Sequence, residues 1–144
     1  MTAPRIYAAH PMTCYGTTHA RSCLDGIARA LPACEIVDPE ALAWTTNEAW
    51  LVGWREILGT LAGLVAFAAG DGTIGAGVLR EIGDALNARV PVVAYSRGGG
   101  LMGLADFELL PEKRRTARRY ATLQLAGTVR LPWPGDSGHC RWRR

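Results

Sequence analysis

Residues 64–94 constrain the fold more than any other stretch, because they combine a buried strand, a tight turn, a helix and a second strand. The stretch begins with the apolar run LVAFAA, which is bounded by glycine and is typical of a buried strand. After a glycine-rich turn, apolar residues recur at helical spacing: Val78, Ile82, Ala85 and Leu86. Residues 91–95 predict the next strand. Such a strand–helix–strand unit places its strands parallel in one sheet.

The same alternation of strands and helices continues along the rest of the chain. Residues 5–9, 35–38 and 127–131 predict short strands. Helical patterns separate them, and residues 96–103 predict a flexible loop. The order predicts a small doubly wound α/β fold, which is Rossmann-like or flavodoxin-like: a three-layer sandwich with a parallel sheet of four to five strands.

Helix starts are marked by threonine. Thr17 or Thr18 can cap the first helix. Thr45 and Glu48 fit a capping box that opens the second helix, whose apolar stripe includes Trp50 and Trp54. We expect Trp54 to belong to the core.

Length and composition indicate one globular domain. The 144 residues suffice for a single core, and no apolar run approaches the roughly 20 residues that a membrane helix needs. We expect residues 1–131 to form the domain and residues 132–144 to form a C-terminal tail. The 4 cysteines show neither a CxxC pair nor zinc spacing, so the sequence predicts reduced thiols and no metal site. With no signal peptide evident, we expect a cytoplasmic protein with no membrane partner.

A basic segment at residues 113–119 raises the question of nucleic-acid binding. It lacks interleaved aromatic residues, and the rest of the chain is not basic. A solvated helix face or a subunit contact is therefore the interpretation we favour, and we expect no nucleic-acid partner.

Two carboxylates, Asp71 and Glu81, fall near the carboxyl edge of the predicted sheet, where ligands of open parallel sheets bind. Most helical glutamates are solvated surface residues, and Glu81 could simply pair with a neighbouring arginine. Its position in the early turns of a helix, with the small residues Gly77 and Ala85 one turn to either side, favours a ligand site instead.

The turn at residues 70–75 matches G-x-G-x-x-G, the pattern of dinucleotide-binding turns. Here it follows the third predicted strand rather than the first, and the acidic ribose ligand expected about 20 residues later is replaced by Tyr95 and Ser96. A simple tight turn is the alternative that we favour.

The chain resembles a known enzyme family in two separate motifs. Residues 6–11, IYAAHP, resemble the I-Y-x-A-x-P first strand of nucleoside 2-deoxyribosyltransferases and related nucleotide N-glycosidases. Residues 71–85 resemble their third-strand loop and G-x-x-x-E-x-G-x-A helix, and residues 90–94 resemble the strand that follows. The resemblance extends over about residues 5–96.

This resemblance implies specific roles. Glu81 would be the nucleophile that attacks the anomeric carbon, Tyr7 would hydrogen-bond to that glutamate, and Asp71 would handle the proton of the departing base. It also implies pockets that are completed across subunit contacts, so we expect a homodimer or a higher homo-oligomer. The chemistry requires no metal and no cofactor.

Further candidates surround this centre. Trp44 could stack on a nucleobase, and the polar residues near the start of the first helix could hold a phosphate, although ordinary capping explains them equally well. The predicted substrate-binding residues are His10, Pro11, Met12, Thr13, Asp38, Trp44, Gly75, Gly77 and Ser96.

The sequence therefore predicts an enzyme that cleaves the N-glycosidic bond of a nucleoside or nucleoside 5′-monophosphate, by hydrolysis or by transfer of the deoxyribosyl group to another base. Gly63 and His10 depart from the family's pattern, which supports an alternative: a non-catalytic nucleotide-binding module on the same fold. A dinucleotide-binding oxidoreductase is the weaker alternative.

Overall fold

The computed structural model describes residues 3–104 and the backbone of residues 110–111. Three α-helices are described: α1 (Thr18–Ala30), α2 (Asn47–Leu58) and α3 (Ala76–Asn87). The described strands are β1 (Arg5–Ala9), β2 (Glu35–Val37), β3 (Gly63–Ala66), β4 (Thr73–Ile74), β5 (Val92–Ser96), β6 (Gly100–Gly103) and β7 (Leu110–Pro111). Short 3-10 helices span Met12–Cys14 and Pro39–Leu42.

The main sheet has the strand order β2-β1-β3-β5-β6. β1 pairs in parallel with β2 and β3, and β3 pairs in parallel with β5. The predicted α/β fold is confirmed, because parallel neighbours are joined through helices that cover the sheet. β4 and β7 form a separate two-stranded parallel pair.

The expectation of an entirely parallel sheet with a loop at residues 96–103 is wrong at one edge. β6 pairs antiparallel with β5 in a hairpin, with Ser96 opposite Gly100. The Gly99 N–H donates to Ser96 Oγ at 2.9 Å, and Gly100 adopts a φ of 69°, which favours glycine. The glycines that suggested a loop allow this tight turn instead.

Two hydrophobic clusters, one on each face of the sheet, produce the three layers. On β1, Ile6 and Ala8 point into the cluster that includes Ile27 of α1. Tyr7 and Ala9 point to the opposite face, where α2 and α3 pack. The alternation of side chains along a strand separates the two cores in this way.

The helix caps follow the prediction at one helix and differ by one residue at the other. Thr17 caps α1, where its hydroxyl accepts a hydrogen bond from the Ala20 N–H at 3.2 Å. For α2 the cap is Thr46 rather than Thr45, because Thr46 has extended backbone and accepts from the Ala49 N–H at 3.0 Å. The predicted strand at 127–131, the tail at 132–144 and the basic segment at 113–119 lie outside the described residues.

Candidate active site

A cavity of about 420 Å³ opens at the carboxyl end of the sheet. Three segments of the chain line it: the loop after β1, the connection from β2 into α2, and the first turns of α3. Its size falls within the roughly 300–1,000 Å³ typical of small-molecule sites. The following residues of the predicted site line it: His10, Pro11, Met12, Thr13, Trp44, Gly75, Gly77 and Glu81.

Glu81 lies at the wall of this cavity and is only 4% exposed. The Tyr7 hydroxyl donates a hydrogen bond to Glu81 Oε2 at 2.5 Å. The Trp50 indole N–H donates to the same oxygen at 2.9 Å. Neither donor contacts Oε1, so the described hydrogen bonds hold the carboxyl group while leaving one of its oxygens available.

Burial raises the pKa of Glu81 to about 7, and the hydrogen bonds from Tyr7 and Trp50 act in the opposite direction by favouring the charged form. The Tyr7 hydroxyl remains a donor at all working pH values, because burial and then the charge of Glu81 raise its pKa well above the ordinary value. A carboxyl group poised near neutrality in a cavity is typical of catalytic sites.

The elements that hold this pair come from different parts of the sequence. Tyr7 projects from β1, one of the central strands, and its ring packs against the Trp54 ring at a centroid distance of 4.9 Å. Trp54 is fully buried, as expected, and its N–H is fixed on Asp84 Oδ2 at 2.9 Å. Glu81 therefore meets a hydroxyl whose position is set by the core.

Trp50 is the residue of this site that the sequence interpretation missed. The sequence pattern assigns it to the apolar stripe of α2 and offers it as a ring that could stack on a nucleobase, whereas its indole N–H reaches Glu81 on α3. The sequence contained one signal: a tryptophan on a helical face needs a partner for its N–H when it is buried. Gly77 lies beside the Trp50 ring, and a Cβ there would be in ordinary van der Waals contact with it at 3.9 Å.

Replacing Trp50 with phenylalanine should raise the pKa of Glu81 by roughly 1 from its value of about 7. The reason is that the free energy of one hydrogen bond to a carboxylate corresponds to a pKa change of about that size. Carbon-13 NMR titration of labelled glutamate side chains measures the change. Trp44→Phe is the matched control, since no described hydrogen bond joins Trp44 to Glu81. An unchanged Glu81 titration in Trp50→Phe would contradict this role.

His10 forms the floor of the cavity near β1. Its ring stacks on Phe67 at 4.5 Å, and Nδ1 donates to the Ala8 carbonyl at 2.7 Å, since that oxygen can only accept. Burial lowers the pKa of His10, so the ring stays neutral with an unprotonated Nε2. Among the described residues Nε2 has no hydrogen-bond partner, and Asp38 Oδ1 lies 3.9 Å away.

Two large apolar side chains, Trp44 and Met12, contribute to the lining. Trp44 packs against α2 where Gly53 leaves space, and a Cβ at Gly53 would lie 2.3 Å from the indole nitrogen. Met12 follows His10 and Pro11 at the lining of the cavity and is 71% exposed. An aromatic wall of this kind can accept a flat ligand.

Tyr7 reaches the cavity only through Glu81, and three other predicted site residues do not line it either. Asp71 is exposed, and its carboxylate accepts hydrogen bonds from the N–H and hydroxyl of Thr73 at 3.0 and 2.7 Å, which lower its pKa. Ser96 lies in the β5–β6 hairpin, and Asp38 caps the 3-10 helix at Pro39–Leu42. Asp71 is therefore an ionised surface group rather than a proton donor in this geometry.

The glycine-rich segment does not form the tight strand-to-helix turn of a dinucleotide site. β3 ends at Ala66, whereas α3 begins only at Ala76, and β4 lies between them. Gly72, with a φ of 85°, shapes the turn that leads into β4. Within the part of the chain that the structure describes, no group of His, Cys, Asp and Glu could hold a metal ion, and no helix has the length and hydropathy for a membrane span.

Comparisons with known proteins bear on the fold alone. Neither protein-family models nor curated proteins match the chain. Among solved structures, it is similar to the crystal structure of a conserved protein from Enterococcus faecalis, with 26% identity and a TM-score of 0.52. The alignment covers 66% of this chain and 65% of that one. The likeness supports a mostly parallel α/β sheet flanked by helices.

Proposed function

We propose that this protein cleaves the N-glycosidic bond of a nucleoside or nucleoside 5′-monophosphate, with Glu81 as the nucleophile. The observation that carries the proposal is the buried Glu81 carboxyl group at a cavity wall, with Oε2 held by Tyr7 and Trp50. The resemblance of residues 6–11 and 71–85 to N-glycosidic enzymes supports it further.

The geometry suits a displacement at the anomeric carbon. Glu81 Oε1 forms a bond to C1′ while the bond from C1′ to the base nitrogen breaks, and the electron pair leaves with the base. Water then attacks the glycosyl ester and regenerates the carboxylate, or a second base attacks and gives transfer. The hydrogen bonds from Tyr7 and Trp50 stabilise the negative charge of Glu81 before the displacement and again once the carboxylate is regenerated. In the neutral ester between these two states, Oε2 is the carbonyl oxygen that accepts both bonds.

The direct test is incubation of the protein with a panel of nucleosides and nucleoside monophosphates, with free base measured by chromatography. We expect base release from at least one member, and a second base added to the mixture distinguishes transfer from hydrolysis. Tight binding of the panel without any base release would instead favour the non-catalytic nucleotide-binding module.

The pH dependence of this reaction should follow Glu81. A nucleophile must be ionised, and burial raises the pKa of Glu81 to about 7, so kcat/KM should rise with pH and level off above about 7. Rates of base release between pH 5 and pH 9 measure the profile. A rate that instead falls as pH rises through 7 would assign the protonated carboxyl group, and hence an acid role, to Glu81.

The oligomeric state is part of the proposal. Enzymes of the family that the chain resembles complete their pockets across subunits, and the exposed Met12 at the cavity lining offers apolar surface for such a contact. We expect a homodimer or a higher homo-oligomer by light scattering, and a monomer would contradict this expectation.

A further inference from the structure

The position of Asp71 leaves the proposed reaction without an assigned partner for the departing base. Asp71 is exposed and its carboxylate is engaged with Thr73. A base that leaves with the electron pair of the glycosidic bond carries negative charge on its ring, so a donor near the reaction centre would lower the barrier.

Few side chains on the described cavity lining can supply that donor. His10 presents an unprotonated nitrogen, the Trp50 N–H is engaged with Glu81, and the Trp44 nitrogen lies against α2 at Gly53. All but one of the remaining residues with a hydroxyl or amide group at the lining are exposed to water: Thr13, Thr45, Thr46 and Asn47. The exception is Tyr15, which is half-buried.

A stack of rings holds Tyr15 in place. Phe67 lies under His10 at 4.5 Å, and the Tyr15 ring packs on His10 with a centroid distance of 5.0 Å and a tilt of 60°. The His10 ring is in turn fixed by its hydrogen bond to the Ala8 carbonyl. Within the described residues, no hydrogen bond engages the Tyr15 hydroxyl, so its donor capacity is available.

Tyr15 and Glu81 line the same cavity. Burial, and then the charges of Glu81 and Asp38, raise the pKa of Tyr15. Tyr15 contributes in the same way to the raised pKa of Tyr7, which touches Glu81. The group therefore keeps its proton through the pH range in which Glu81 is ionised.

We propose that the Tyr15 hydroxyl, held over the His10 ring at the cavity wall, donates a hydrogen bond to the leaving base. This inference rests on the proposed function. As Glu81 Oε1 bonds to C1′, the electron pair of the C1′–N bond moves to the base, whose ring then accepts the hydrogen bond from Tyr15. The base takes its proton from water after departure, and Tyr15 keeps its own.

The test compares leaving groups in Tyr15→Phe, which keeps the ring on His10 and removes only the hydroxyl. The two substrates are the best nucleoside of the panel and the p-nitrophenyl glycoside of the same sugar, whose phenolate departs without a donor. Because a hydrogen bond to a charged group is lost, we expect kcat for the nucleoside to fall about 10–100-fold. For the p-nitrophenyl glycoside, we expect kcat to change less than about 3-fold.

Tyr7→Phe is the matched control, since it removes a tyrosine hydroxyl that contacts the nucleophile rather than the base. It should lower kcat for both substrates alike. Retained activity of Tyr15→Phe on the p-nitrophenyl glycoside shows that the variant is folded.

The two proposals fail in different ways. Absence of base release by the wild-type protein overturns the N-glycosidic function. If the wild type releases base and Tyr15→Phe loses activity equally on both substrates, or changes only KM, or loses nothing, then the leaving-base role of Tyr15 is overturned while the function stands.

Discussion

Base release should fall roughly 10³-fold or more in kcat when Glu81 is replaced with glutamine, because the amide keeps the shape of the side chain and cannot act as a nucleophile. The glutamine carbonyl can still accept the hydrogen bonds from Tyr7 and Trp50, so the cavity keeps its form. The measurement is kcat on the nucleoside that the wild type cleaves best. Nucleoside binding, measured by calorimetry, should persist within about 10-fold.

Asp84→Asn is the control on the same helix. Asp84 also accepts an indole N–H, from Trp54 at 2.9 Å, but it does not line the cavity. We expect its kcat at pH 8, where Glu81 is ionised, to remain within a few-fold of the wild type, because the asparagine carbonyl can still accept the Trp54 N–H. Wild-type rates of base release in Glu81→Gln would remove Glu81 from the reaction.

The layered fold could be predicted from the sequence because the spacing of apolar residues differs between strands and helices. The run LVAFAA and the spacing of Val78, Ile82 and Ala85 require a strand buried on both faces beside an amphipathic helix. The β5–β6 hairpin was not accessible in this way. Its strand β6 consists of glycine, leucine, methionine and glycine, and antiparallel pairing with β5 outweighs that weak intrinsic preference.

The site shows a similar division between what local sequence predicts and what packing decides. Tyr7 and Glu81 were paired through a resemblance of motifs, and they lie in hydrogen-bonding contact. The contribution of Trp50 depends on the angle at which α2 crosses α3, which no residue pattern encodes. Likewise, Asp71 follows β3 in sequence but turns outward because Thr73 supplies local donors.

The buried state of Glu81 also has a measurable effect on stability. Burial raises its folded-state pKa to about 7 from an ordinary value of 4.5, so between these values the folded protein binds more protons than the unfolded chain. Stability from this group is therefore fully present below about pH 4.5 and is lost as pH rises through about 7. The loss amounts to about 3 kcal/mol, because each change of 1 in pKa corresponds to about 1.4 kcal/mol.

Glu81→Gln should consequently be more stable than the wild type at pH 8, by about 3 kcal/mol or roughly 10 °C in Tm, and nearly equal to it at pH 4. The amide never ionises, so the variant avoids the free-energy cost of a buried charge. The burial that raises the pKa of Glu81 for catalysis is thus also what destabilises the folded protein when Glu81 is ionised. Urea unfolding of both proteins across pH 4–8 measures the difference. Parallel stability curves over that range would show that Glu81 ionises as readily in the folded protein as in the unfolded chain, and would remove the electrostatic basis for a carboxyl group poised near neutrality.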